Sequence, residues 1–369
     1  MRNFARLPVA DHTAFFTEAA ARRGVRPWLV EKDFWVCWLL REIFALPTLR
    51  PHLVFKGGTS LSKVFNIIAR FSEDIDLSLS PAFLGIAEST LEDAASRTQR
   101  DKNQKQLEAR CAEIVRDQIA PLITEALSVQ LGNLPARSWK IEAIIDPATH
   151  SPVILFHYPV AVPYETYVRP EVKVEFGSLT DQQPTGNHTV RSIVAEEFPH
   201  EMVAPDGGVV ALEVERTFWE KATILHAEYH RPAEQPMRDR FSRHYSDFAA
   251  LLTHPTSAAA LTRFDVLARV VRHKSRFFAS SWAHYDLAIP GSLRLVPPAH
   301  RVAEIERDYG RMADMFINTP LPFSRLIDTL GKAEAGVWPL TSWPGEGRRD
   351  KWGVGPMGKS VAMNDGVGP

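Results

Sequence analysis

Two short stretches carry residue types whose spacing could do chemistry. The first is Lys56-Gly57-Gly58-Thr59-Ser60-Leu61-Ser62-Lys63, and the second is Arg70-Phe71-Ser72-Glu73-Asp74-Ile75-Asp76-Leu77. Paired glycines at a strand-to-helix turn let backbone amides approach a polyphosphate, and the helix N-terminus behind them favours negative charge. Thr59 and Ser60 would add hydroxyl donors at the same place. Asp74 and Asp76 are separated by the two-residue period of a strand, so both carboxylates share one face while Ile75 and Leu77 take the other. Neighbouring carboxylates repel unless neutralised, and hard oxygen donors select Mg²⁺ or Mn²⁺. Glu171 to Phe176 alternates in the same way, which makes Glu175 either a third metal ligand or a partner of Lys173. Three acids on adjacent strands can hold two ions about 3.5–4 Å apart, as in-line attack on a nucleotide α-phosphate requires. A solvated strand face beside an ordinary turn is the better account of either feature alone; the two in succession favour the site.

The elements around these stretches read as a mixed fold. From Leu53 the order is strand, Gly-Gly turn, helix and strand, preceded by a helical lead-in through about residue 50. In that lead-in Asp11 is the expected cap of a helix stopped by Gly24, and Pro27 opens a second helix. Leu107, Cys111, Ile114, Ile119, Leu122 and Ile123 predict a long amphipathic helix within 91–131. Four β-rich stretches follow, WKIEAII, VILFHYPVAV, EVKVEFG and TVRSIVA. After Asp206-Gly207-Gly208 the pattern is almost wholly helical. The expected architecture is a bilobed α+β protein: a nucleotide-handling lobe over 1–204 with a short mixed sheet, a helical lobe over 205–342, and a disordered, Gly-rich and charged tail over 343–369.

Composition removes several classes of function. With 43 Lys+Arg against 44 Asp+Glu, the chain does not coat nucleic acid with its whole surface, although a local basic patch is allowed. Two cysteines, Cys37 and Cys111, are too few for a disulfide framework and read as buried thiols. The N-terminus has no signal-peptide stretch and Phe34 to Leu40 is far short of a membrane span of roughly 20 residues, so a cytoplasmic protein is expected.

KGGTSLSK followed by RFSEDIDL, together with Glu31-Lys32-Asp33-Phe34-Trp35-Val36, KVEFG, RTFWEKATILH and HYSDFAALL, resembles the AbiEii/AbiGii-type toxins within the DNA polymerase beta-like nucleotidyltransferases. The resemblance spans the chain to about residue 335. It implies transfer of a nucleotide from an NTP to an RNA acceptor, typically the tRNA 3′ end, which blocks aminoacylation in a toxin–antitoxin or abortive-infection system. A neighbouring antitoxin gene is the implied partner. Carried onto this sequence, it makes Asp74 and Asp76 metal ligands and places Lys56, Gly57, Gly58, Thr59 and Ser60 around the triphosphate. Lys221 matches the family's helical lysine, and Asp247 the later acidic motif, which orients that lysine or a metal-bound water. Ser72 holds the place of a serine that some antitoxins phosphorylate; a plain hydrogen-bonding role is the alternative. The residue before Gly57 is a lysine where the broader superfamily has an apolar one, which suits the toxin branch.

Other patterns are weaker. Gly353, Gly358, Lys359 and Ser360 satisfy a phosphate-loop pattern, but only nine residues follow Ser360, too few for the helix that motif needs. His226 and His230 have a zinc-ligand spacing but no third ligand, and read as histidines on a helix flank. Two basic runs, one at Arg231, Arg238, Arg240 and Arg243 and the other from Arg269 to Arg276, are candidate RNA contacts or solvated helix faces. The competing functions are a metal-dependent phosphodiesterase or nuclease using the same acids, and a non-catalytic RNA- or protein-binding module.

Overall fold

A computed structural model describes residues 1–86, 96–132, 138–147, 149–164 and 168–336. The predicted tail and its phosphate-loop pattern lie outside these. The chain opens with helices α1 (Arg2–Ala5), α2 (Val9–Arg23) and α3 (Pro27–Phe44). Gly24, at φ +66°, stops α2 in the left-handed conformation that costs glycine least, and Pro27 starts α3 where a missing amide is harmless. Asp11 lies in the first turn of α2 rather than at its cap, where its charge still complements the helix dipole.

Strand β1 (Leu53–Lys56) feeds helix α4 (Gly57–Lys63), and β2 (Ile75–Leu79) returns. The long helix comes as α5 (Arg97–Ile114) and α6 (Ala120–Leu131), joined by a π turn at Val115–Ile119. Strands β3 (Lys140–Ile145), β4 (Pro152–His157), β5 (Glu171–Gly177) and β6 (Thr185–Val190) follow; then come α7 (Ile193–Glu197) and β7 (Gly207–Leu212). The fourth β-rich stretch thus pairs earlier than expected. It ends at Val190 because Ser192 caps α7 through the Ala195 amide.

Seven strands form one mixed sheet in the order β3-β4-β5-β2-β1-β7-β6. β1 is antiparallel to β2 and parallel to β7, and β2 is parallel to β5. The α+β class holds, with a wider sheet than expected. Strand β7 was not anticipated: its two leading glycines read as a turn, yet Gly207 approaches Arg41 of α3 so closely that a Cβ would lie 2.8 Å from the Arg41 Cβ.

The remainder is helical: α8 (Val214–Tyr229), α9 (Ser242–Thr253), α10 (Ser257–Ala260), α11 (Phe264–Phe277), α12 (Val302–Arg311) and α13 (Phe323–Glu334). Two hydrophobic cores result. One packs α2 and α3, with Trp35 and Trp38 fully buried, against the sheet. The other collects Phe218, Trp219, Phe248 and Leu330 from the helices, together with Leu61, Ile67 and Ile68 from α4 and the segment after it. Because β7 belongs to the sheet, we propose the division between lobes at Leu212 rather than near residue 205. Among the described residues no helix is long and apolar enough to cross a membrane, and Cys37 and Cys111 are buried free thiols.

Candidate active site

The register of three strands assembles the acidic side of the site. Asp76 pairs with Lys56 on β1 and with Glu175 on β5, so the end of β1, the start of β2 and the acid of β5 lie side by side. Gly57, the first residue of α4, has φ +83°, and a Cβ there would collide with Asp76 Oδ2. Only glycine fits, and the acid and the turn are immediate neighbours. A Cβ on Gly58 would lie 2.6 Å from Arg70 Nη2 and 3.0 Å from Ser72 Oγ. The Gly-Gly turn is therefore flanked by a carboxylate on one side and by a guanidinium and a hydroxyl on the other.

The hydroxyls of α4 face inward. Thr59 Oγ1 lies 2.9 Å from Ser72 Oγ and 2.5 Å from the Asp74 carbonyl, while Ser60 Oγ donates to the Gly57 carbonyl at 2.9 Å. Both residues are buried. Thr59 ties the turn to the acid-bearing strand, and Ser60 stiffens the first turn of the helix; what α4 presents outward here is backbone. Lys56 is half-buried, and its side chain leans across the sheet toward Gly177.

Like charges crowd at the start of β2. Burial, with the negative charges of Glu73 and Asp76, pushes the Asp74 carboxyl up to about 6, against the opposing pull of Lys173 and Lys32. Hard-oxygen carboxylates crowded in this way suit a divalent cation, whose binding would remove the repulsion on Asp74. Glu175 lies beside Asp76 in register, but its carboxylate meets Lys173 Nζ at 3.3 Å and accepts from Ser151 Oγ at 3.1 Å. Lys173 also pairs with Asp146 at 2.7 Å. Among the described residues no three Asp, Glu, His or Cys side chains converge on a common metal position. The Lys173 contact is the pairing that was the other expectation for Glu175.

The helical side is built from opposite charges. Asp247 of α9 is 1% exposed and receives a two-pronged ion pair from Arg70, with Nε to Oδ1 at 2.7 Å and Nη2 to Oδ2 at 2.8 Å. Lys221 of α8 donates to Asp247 Oδ2 at 2.6 Å and lies 3.3 Å from His244 Nδ1. Burial alone would raise the Asp247 carboxyl, but Arg70 and Lys221 overcome it and hold it well below the usual carboxylate range. Burial and the Arg70 charge draw Lys221 below its ordinary value although Asp247 opposes them. Burial, with Lys221 and Arg243, keeps His244 neutral, so it can accept from the ammonium. Asp247 thus holds the Lys221 ammonium directly.

Arg70 is the residue that sequence reasoning missed. It stood inside the RFSEDIDL motif without a role, and its partner is 177 positions away. Its backbone is held as well: the Phe71 amide donates to the Met315 carbonyl at 2.6 Å and the Ile317 amide to the Ala69 carbonyl at 3.0 Å. The EKD triplet of α3 is also buried and braces the site from behind. Lys32 pairs with Glu73, Asp33 pairs with Lys63 at the end of α4, and Glu31 accepts from the Ala161 amide at 2.7 Å. His226 is held structurally: its Nε2 meets the His284 carbonyl at 2.9 Å and its Nδ1 accepts from the Arg294 amide at 3.1 Å, so neither ring nitrogen of His226 is left for zinc.

The glycine turn that starts α4 thus lies against Asp76 of β2, and the Lys221–Asp247 pair comes from α8 and α9. The family model described as nucleotidyl transferase AbiEii toxin, type IV toxin–antitoxin system, matches residues 38–330, and the chain belongs to this family. It is a nucleotidyltransferase toxin with a nucleotide substrate and an antitoxin partner. Among solved structures, the MenT4 nucleotidyltransferase toxin of Mycobacterium tuberculosis H37Rv is similar at 15% identity and a TM-score of 0.33, with 80% of this chain and 98% of that chain covered. No curated protein matches the sequence.

Proposed function

We propose that this toxin moves a nucleoside monophosphate from an NTP to the 3′ end of an RNA, with tRNA as the acceptor, in a reaction that uses Mg²⁺ or Mn²⁺ held by Asp74 and Asp76. The observation that carries the reading is the close approach of Gly57 to Asp76, which supports a triphosphate at the glycine turn beside a metal on the acids. The amides of Gly57 and Gly58 would take the triphosphate, at the positive end of α4. A divalent cation bound by the two aspartates would withdraw charge from the phosphates and acidify the acceptor hydroxyl. Lys221, oriented by Asp247, would face the charge that develops as the leaving pyrophosphate departs. Arg70 keeps Asp247 in place and fixes the glycine turn relative to the helical lobe. Ser72, half-buried beside Gly58, would carry a phosphoryl group directly onto the turn if an antitoxin modified it, and the added charge would repel an incoming triphosphate.

The test is incubation of the protein with each of four α-labelled NTPs and total tRNA, with and without Mg²⁺. Label appearing on lengthened tRNA, dependent on the metal, is the expected result. Shortened RNA without label would replace transfer by hydrolysis, and label on a non-RNA acceptor would remove tRNA from the proposal.

A further inference from the structure

The two basic runs singled out in the sequence part ways in the structure. In the second, Arg269 pairs with Asp181, and Lys274 donates to the Glu220 carbonyl at 3.0 Å, so charges that looked available brace α8 against α11. In the first, Arg231 pairs with Glu228 at 2.7 Å and lies over Trp282. Arg238 and Arg240 are exposed, Arg243 is half-buried, and none of the three side chains has an ionic or hydrogen-bonding partner among the described residues. Asp239, also exposed, offsets one of these charges.

The backbone that carries them is held in a conformation its residues disfavour. Arg240 has φ +56°, in the left-handed region where glycine is the usual occupant. Asp308 of α12, 2% exposed, imposes it by accepting from the Arg240 amide at 2.9 Å and the Ser242 amide at 2.8 Å, which also caps the start of α9. The strained backbone thus presents an arginine side chain to solvent. Arg243 sits four residues, one helical turn, before Asp247, and its charge acts on both Lys221 and His244. The rim therefore leads from open solvent to the lysine that faces the nucleotide.

We propose that the Arg238–Arg243 rim is the docking surface for the phosphate backbone of the RNA acceptor, guiding its end toward Lys221 and Asp247. This rests on the RNA-acceptor reading above. The occupant is an RNA because three guanidiniums without an ionic partner among the described residues, close together on a chain of net charge -1, form a local site for a polyanion.

The experiment measures the affinity of a 5′-fluorescein-labelled tRNA transcript for the full chain across a salt series. The wild type is compared with an Arg238→Ala/Arg240→Gly double variant. The double variant should bind about tenfold more weakly near 0.1 M salt, with the slope of log affinity against log salt reduced by about 1.5. Its melting temperature should equal or exceed that of the wild type, because Arg240→Gly relieves the backbone, and its affinity for a fluorescent NTP analogue should not change. Arg272→Ala, in the other run, should leave tRNA affinity within about twofold. Wild-type binding with unchanged affinity and slope in the double variant would overturn the rim assignment alone. A wild type that neither binds nor extends tRNA would overturn the acceptor reading and the rim with it. Loss of antitoxin binding with tRNA binding intact would give the rim to a protein and overturn the proposal.

Discussion

The two sides of the nucleotide site are built on opposite electrostatic plans. At the start of β2, Glu73, Asp74 and Asp76 crowd like charges, and Asp74 is pushed up to about 6 by burial and those neighbours. On the helical side, Arg70, Lys221 and Asp247 pair opposite charges so closely that Asp247 is held below its ordinary range. On the first side, among the described residues, only Glu73 has a close cation, Lys32, and Asp74 stays among like charges. The second is balanced before any ligand arrives and serves as a fixed reference. A buried ion pair of this kind adds little net stability over apolar packing, but it is costly to break by removing one partner.

Asp76→Asn should break the acidic side most sharply. Labelled transfer should fall by at least ~10³-fold, while the melting temperature stays level or rises because a like-charge repulsion is removed. A variant that keeps transfer within tenfold would show that the acid pair is structural. Arg70→Ala should break the other side in the reverse manner, costing about 3–5 kcal/mol in urea unfolding because Asp247 is left buried with half its counter-charge. Arg70→Lys keeps the charge but loses the fork, and should recover only part of that.

The pH dependence of stability sharpens the contrast. Because folding lowers the pKa of Asp247, its contribution is fully present above the ordinary carboxylate range and is lost as pH falls through that range toward the folded-state value. Urea midpoints measured from pH 7 down to pH 3 should therefore decline less steeply in Asp247→Asn than in the wild type, although that variant starts lower. Equal slopes would place the acid-labile group elsewhere. The smallest effect belongs to Glu175→Gln. With Lys173 and Ser151 as its partners, the change should lower transfer less than about tenfold. A loss matching Asp76→Asn would make Glu175 a metal ligand after all.

Much of the acidic side was legible because its signals are local. The two-residue spacing of Asp74 and Asp76 and the strand-to-helix glycines depend on dihedral preferences within a few residues; the glycines open α4 and Asp76 lies in β2, while Asp74 comes one residue before that strand begins. Lys221 and Asp247 were found through resemblance, and their contact at 2.6 Å gives that resemblance a geometry. Other features depend on what packs where. The glycines that open β7 read as punctuation, since nothing nearby announces the approach of Arg41 that requires one of them. The basic run around Arg269 looked as open as the one around Arg240, because side-chain pairing with Asp181 is invisible along the chain.

The sequence by itself determined the local pieces: two aspartates at a strand's spacing, a glycine turn at a helix start before them, and a helical C-terminal half, all set by short-range periodicity and backbone preference. Only the tertiary structure decided which charges face each other. Arg70 is joined to Asp247 across 177 positions, Thr59 and Ser60 turn inward, and Glu175 goes to Lys173. The physical reason is range. A dihedral angle is governed by its neighbours in the chain, whereas an ion pair is governed by distance in space and by the water excluded around it, which the packing of two cores creates.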